Sequence, residues 1–213
     1  MAEIKAKNRD TGTSALDWDV AGRPIAGQAI SGDLHLVQAF DHQVLVAVLD
    51  GVGHGSEATT AACAAVEVLS GHAAEPAVAL VQRCHEALKQ TRGVVLTIAI
   101  INTMDNTMTW LGVGNVEGRL LRADSHASHP RESVMLRGGV VGYQLPVLQA
   151  SVVPVNRGDL LVFATDGVRA EFDREIKLTE TPGQIAENIM SRNFKGNDDA
   201  LVLVARYLGM RHE

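Results

Sequence analysis

Five aspartates border apolar runs, and their placement is the chain's clearest hint of chemistry. In LVAVLDGVGHG (residues 45–55) an apolar stretch ends in Asp50, followed by Gly51, Gly53 and Gly55. LLVFATDGV (160–168) repeats the design with Asp166, Gly167 and Val168. Asp33 opens a further apolar run after Ser31-Gly32, and Asp198-Asp199 stand directly before the last one in GNDDALVLVAR. A strand holds a carboxylate rigidly at its end, and glycine lets other backbone or a ligand approach closely. One Asp-Gly after a strand is most often a turn. Two copies, joined by Gly32-Asp33 and Asn197-Asp198-Asp199, make turns alone the weaker explanation.

An all-oxygen cluster of this kind suits the hard cations Mg²⁺ or Mn²⁺ rather than zinc. Two such ions about 3.5–4 Å apart can hold a hydroxide and clamp the oxygens of a phosphoryl group. Metal binding lowers the pKa of water from about 15.7 to about 7, so no protein nucleophile is needed. Asp33, Asp50, Asp166, Asp198 and Asp199 are the candidate ligands, above all Asp50 and Asp166.

Other residues carry less. His54 is a candidate acid for the leaving oxygen because histidine titrates near neutrality, although a histidine packed under the loop is the plainer reading. His126 and His129 fall in a polar stretch and are expected on the surface. Trp18 and Trp110 read as packing aromatics. Gly51–Gly55 lacks the Gly-Lys-Ser/Thr ending of a P-loop. Asp50 lacks the second aspartate two positions on that an aspartyl-phosphate hydrolase needs.

The elements that must position these residues are mostly strands. Val-, Leu- and Ile-rich runs bounded by Gly, Asn, Asp or Pro predict strands over Asp33–Phe40, Gln43–Leu49, Val94–Ile101, Thr107–Gly112, Gly118–Arg122, Ser151–Pro154, Asp159–Thr165 and Ala200–Arg206. Short turns at Asp41-His42 and Asp105-Asn106 imply antiparallel pairing. Helices are expected over Ser56–Ser70, capped by Ser56 and stopped by Gly71, and over Glu75–Thr91 with Pro76 in its first turn. A shorter one is expected over Pro182–Arg192, capped by Thr181. Val134–Pro146 reads as Gly-rich and irregular. Helices that follow hairpins rather than alternate with strands indicate an α+β fold, with the two long helices antiparallel on one face of the sheet.

The composition sets outer bounds. The chain has 213 residues, 46% hydrophobic and 21% charged, and a net charge of −6. That is suited to one globular domain spanning 1–213, and the acidic balance argues against nucleic acid or an anionic membrane as main partner. Cys63 and Cys84 are expected to be reduced, buried thiols, since no Cys-x-x-Cys occurs. Neither a signal peptide nor a membrane span is evident, which makes the cytoplasm the expected location.

In the order Ser31-Gly32-Asp33, Asp50-Gly51-Val52-Gly53-His54-Gly55, Thr165-Asp166-Gly167-Val168, Asn197-Asp198-Asp199, the chain resembles the PPM-type (protein phosphatase 2C-like) serine/threonine phosphatases. More narrowly it resembles their SpoIIE-like branch, in its short form without a sensor domain, with a core from about residue 30 to 206. The resemblance implies an antiparallel β-sandwich flanked by helices, α-β-β-α, with two Mn²⁺ or Mg²⁺ ions. Asp50 would bridge them and Gly51 would offer its carbonyl. Asp166 and Asp198 would complete one ion's set, Asp33 would act at the second, and Asp199 would hold a secondary position. Leu111–Asn115 and Gly138–Gly142 resemble segments that shape the floor and rim of the site. The implied substrates are phosphorylated STAS-domain proteins of the stressosome, a bacterial stress-signalling complex. The alternatives are an inactive phosphatase-like binding module, which should have lost one or more of these aspartates, and a phosphohydrolase for small phosphate esters.

Overall fold

A computed structural model describes residues 15–124 and 126–209. One sheet contains β1 (Leu16–Arg23), β11 (Ala200–Tyr207), β10 (Leu160–Ala164), β6 (Glu117–Leu121) and β7 (Arg131–Ser133), in that spatial order. The other contains β2 (Asp33–Phe40), β3 (Gln43–Gly51), β4 (Val94–Asn102), β5 (Thr107–Val113) and β8 (Leu136–Arg137), with β9 (Ser151–Pro154) also paired to β5. All pairings are antiparallel except β5 with β8. Helices α1 (Ser56–Gly71) and α2 (Ala77–Ala87) cover the second sheet, and α3 (Pro182–Asn193) covers the first. The fold is therefore the expected α+β sandwich with helices on both outer faces.

Four layers create three apolar seams, and this explains why the central strands read as unbroken hydrophobic runs. Side chains alternate between faces, but both faces are buried. In β3, Leu45, Ala47 and Leu49 face α1 and α2, while Val44, Val46 and Val48 enter the seam between the sheets. In β10, Leu161 and Phe163 enter that same seam, while Leu160, Val162 and Ala164 meet α3. Each such Val, Leu or Phe side chain contributes roughly 1.5–3 kcal/mol by burial. The strands that carry Asp50 and Asp166 are thus among the best-anchored parts of the chain.

Several expectations need correction. Strand β1 is missing from the sequence reading: in LDWDVAGR it alternates buried and exposed residues at an edge and lacks an apolar run. Strands β7 and β8, of three and two residues, are too short to show a pattern, and β8 falls within the stretch read as irregular. Helix α1 is capped by Gly55 rather than Ser56, without a side-chain cap. Gly71 is its last residue rather than its stop. Helix α2 is shorter than Glu75–Thr91, and Pro76 caps it from outside. The Thr181 cap of α3 is present as a full capping box with Gln184. Trp110 is buried, and Trp18 packs partly buried against the inter-sheet seam. Cys84 is buried, but Cys63 is only half-buried, and both thiols are free.

Candidate active site

The sequence-distant aspartates gather at one end of the sandwich. Asp33 and Asp50 are direct cross-strand partners of β2 and β3, and the Gly51 N–H donates to the Gly32 carbonyl at 3.2 Å. Thr165, one residue before Asp166, bridges the sheets. Its hydroxyl donates to Asp33 Oδ2 at 2.8 Å and accepts from the Leu201 N–H at 2.8 Å. Asp199 is drawn in by the Gly32 N–H, which donates to its Oδ2 at 2.7 Å.

Each Asp-Gly corner requires glycine because other backbone lies against it. A Cβ on Gly51 would fall 2.1 Å from the Ala58 carbonyl oxygen in the first turn of α1. A Cβ on Gly167 would fall 2.0 Å from the Asp199 carbonyl oxygen. The corners are therefore seats for the segments that follow or adjoin them, and this brings the remaining aspartates within electrostatic reach.

Their mutual influence is strong. Burial pushes the Asp50 carboxyl up to about 9, reinforced by Asp33, Asp166, Asp198 and Asp199. Its oxygens accept no hydrogen bond from any described residue. Asp33 is pushed up to about 7, chiefly by burial, with the Thr165 hydroxyl opposing and its acidic neighbours adding to the rise. Asp166 is raised by burial and Asp198, while Lys195 pulls it back. Five carboxylates packed this closely call for a cation, and oxygen donors call for a hard one.

Among the described residues, no three His, Cys, Asp or Glu side chains are arranged to hold a metal ion together. Mg²⁺-like ions need fewer protein donors, since they bind through one or two carboxylates and keep several waters. Asp50, Asp166, Asp198, the second oxygen of Asp33 and the Gly51 carbonyl are the groups left to meet such an ion directly, so the donor chemistry fits.

The remaining candidates divide. Asp199 is a clamp: Oδ1 accepts from the Ile25 N–H and Oδ2 from the Gly32 N–H, each at 2.7 Å, which occupies both oxygens. Asp198 Oδ1 accepts from the Asp199 N–H at 2.9 Å. His54 is exposed rather than packed under the loop, and its Nδ1 is hydrogen-bonded to Gln28 Nε2 at 2.8 Å. His126 and His129 are exposed, as expected.

Two contacts are absent from the sequence reading. Asn115 Nδ2 donates to Asp166 Oδ2 at 2.7 Å, and Lys195 Nζ donates to the Asp166 carbonyl at 2.6 Å. The Gly114-Asn115 turn marked Asn115 as part of a motif but gave no partner. Nothing near Lys195 signalled a role.

Known proteins provide an independent comparison. The family model described as Stage II sporulation protein E (SpoIIE) matches residues 41–208. The phosphoserine phosphatase RsbX of Bacillus subtilis (strain 168) is 23% identical over 181 residues, which cover 84% of this chain and 89% of RsbX. A crystal structure of RsbX in complex with magnesium superimposes with a TM-score of 0.78 at 22% identity, covering 90% of this chain and 94% of that one. A chain from a structural study of the bacterial stressosome as a modular system adapted to control secondary messenger signaling gives a TM-score of 0.81 at 26% identity. That match covers 91% of this chain and all of the other.

Proposed function

This chain belongs to the SpoIIE family of PP2C-type protein serine/threonine phosphatases, and from that premise we propose that it removes phosphate from phosphorylated STAS-domain proteins of a stressosome-like complex, using divalent cations held by Asp33, Asp50, Asp166, Asp198 and the Gly51 carbonyl. The observation that carries this reading is the convergence of four aspartates from three other segments on Asp50, a half-buried carboxylate raised by desolvation and by those neighbours and given no hydrogen-bond donor among the described residues. Every acidic motif position is present, which favours an enzyme over a phosphatase-like binding module. The relationship to RsbX and to a chain from a study of the bacterial stressosome supports the substrate class.

Bound at such a site, a divalent cation supplies a water of near-neutral pKa and takes up charge on the phosphoryl oxygens. The chain's own part is placement. Strand β3 fixes Asp50, and Thr165 fixes the Asp33 carboxylate from the opposite sheet. Asn115 holds one Asp166 oxygen. Asp199 ties the 25–32 loop to the site and serves as a positioning residue. His54 stands on the exposed loop after Asp50, where it can meet a leaving serine oxygen. Mn²⁺ and Mg²⁺ both suit these donors, and we assign two ions. The described residues include no helix long and apolar enough to cross a membrane, and we place the enzyme in the cytoplasm as one phosphatase domain.

The test is phosphate release from a phosphorylated STAS-domain protein with Mn²⁺, with and without chelator, for the natural chain and for Asp50→Asn and Asp166→Asn. Turnover that stops with chelator and in Asp50→Asn is expected. Undiminished turnover in either variant sinks the metal assignment. Turnover of p-nitrophenyl phosphate but of no phosphoprotein redirects the enzyme to small phosphate esters.

A further inference from the structure

Arg92 lies against the loop that follows Asp50, in a position that nothing in the metal chemistry uses. In the β3–β4 register Gly51 faces Val94, and the Val52 N–H donates to the Gly93 carbonyl at 3.1 Å. Arg92 is therefore the next residue outward on the sheet edge that bears Asp50. Its guanidinium lies on the loop after Asp50: a Cβ at Gly53, whose φ is +93°, would stand 2.7 Å from Arg92 Nη1. A side chain at position 53 would push the guanidinium away.

What holds Arg92 is weak. Nη2 pairs with Glu57 Oε2 in the first turn of α1, and the two side chains are 50% and 66% exposed. Exposed ion pairs are worth little, so this one is easily exchanged. Lys195, by contrast, is engaged at the Asp166 carbonyl. A planar, permanently charged fork on the loop that follows Asp50 matches the remaining anion in the reaction, because guanidinium groups bind phosphate oxygens in pairs.

We propose that Arg92 is the substrate-phosphate-binding residue of this site, exchanging Glu57 for two phosphate oxygens when substrate arrives. Glu57 then acts as a placeholder that keeps the guanidinium on the Gly53 loop. The proposal rests on the phosphatase reading of the site.

The experiment uses the full chain with Mn²⁺ and compares it with Arg92→Ala, Arg92→Lys and Glu57→Gln. Two readouts are taken: KM for p-nitrophenyl phosphate, and direct calorimetric affinity for inorganic phosphate. Arg92→Ala is expected to weaken both by about ten- to hundredfold, the range for charge-assisted hydrogen bonds, with the Mn²⁺ titration midpoint unchanged. Arg92→Lys should melt like the natural chain and recover only part of the phosphate affinity, because lysine keeps the charge without the fork. An arginine that merely braced the loop through Glu57 would instead be rescued fully by lysine. Glu57→Gln should tighten phosphate by about two- to fivefold, the strength of the exposed pair it removes. Unchanged phosphate affinity in Arg92→Ala, or weakening in Glu57→Gln as large as in Arg92→Ala, overturns the proposal. Absence of turnover in a natural chain that still binds phosphate through Arg92 overturns the phosphatase reading instead.

Discussion

At Asp50-Gly51-Val52, where β3 ends, and at Asp166-Gly167-Val168, just beyond β10, the same tripeptide closes a buried strand, and in both the glycine is required because foreign backbone lies about 2 Å from where a Cβ would sit. The surroundings of the two carboxylates are nevertheless opposed. Asp50 is half-buried, receives no hydrogen bond from any described residue, and is raised by desolvation and by four neighbouring carboxylates. Asp166 is half-buried, accepts from Asn115, and has Lys195 on its own carbonyl. Identical local sequence thus yields one carboxylate that the protein leaves to an external cation and one that it partly serves itself.

The largest predicted effect tests that contrast directly. Asp50→Asn should lower phosphate release by about a thousandfold, because several kcal/mol of transition-state stabilisation depend on the cation it centres. Asp166→Asn should cost less, since its Asn115 partner can still orient the amide oxygen. Measuring kcat/KM and the Mn²⁺ midpoint for both variants separates the roles, and equal losses would break the distinction.

The shared feature of the corners predicts equal costs. Gly51→Ala and Gly167→Ala each place a methyl group against a carbonyl that is itself fixed, in α1 or at the start of β11. Overpacking of this kind costs about 3 kcal/mol, readable as matching shifts in urea denaturation. A marked difference would show that one corner yields and the other does not. Asn115→Ala comes next. Removing an outer partner of a metal-ligating carboxylate typically costs about 10- to 100-fold in metal affinity or activity, so Mn²⁺ titration of this variant should show a weaker midpoint at unchanged melting temperature.

What could be read from sequence follows from the range of the interactions. Strands buried on both faces announce themselves as Val and Ile runs, and the Thr181–Gln184 capping box is a local pattern, so both were legible. The Asp-Gly corners were legible as candidates because glycine and aspartate next to strands are conspicuous. Edge strand β1 was not, since its pairing with β11 lies nearly the full chain length away. Asp198 and Asp199 look alike in sequence. Only the fold shows that Asp199 spends its two oxygens on N–H groups 174 and 167 positions distant. Asn115 with Asp166 and Thr165 with Asp33, separated by 51 and 132 positions, were hidden for the same reason.

The smallest effect decides what braces the second corner. Lys195 reaches the Asp166 carbonyl through an exposed amine, whereas its own backbone N–H donates to the Gly167 carbonyl at 2.9 Å, a contact that survives any side-chain change. Asn115, by contrast, meets the carboxylate itself. Lys195→Met therefore removes only a solvent-screened bond. It also removes a positive charge that competes with a cation, so two small effects of opposite sign act together. Activity within about threefold of the natural chain is expected, with a slightly tighter Mn²⁺ midpoint. A loss as large as that in Asn115→Ala would shift the brace from the side chain of Asp166 to its backbone, and the two corners would then differ in how they are held more than in how they are charged.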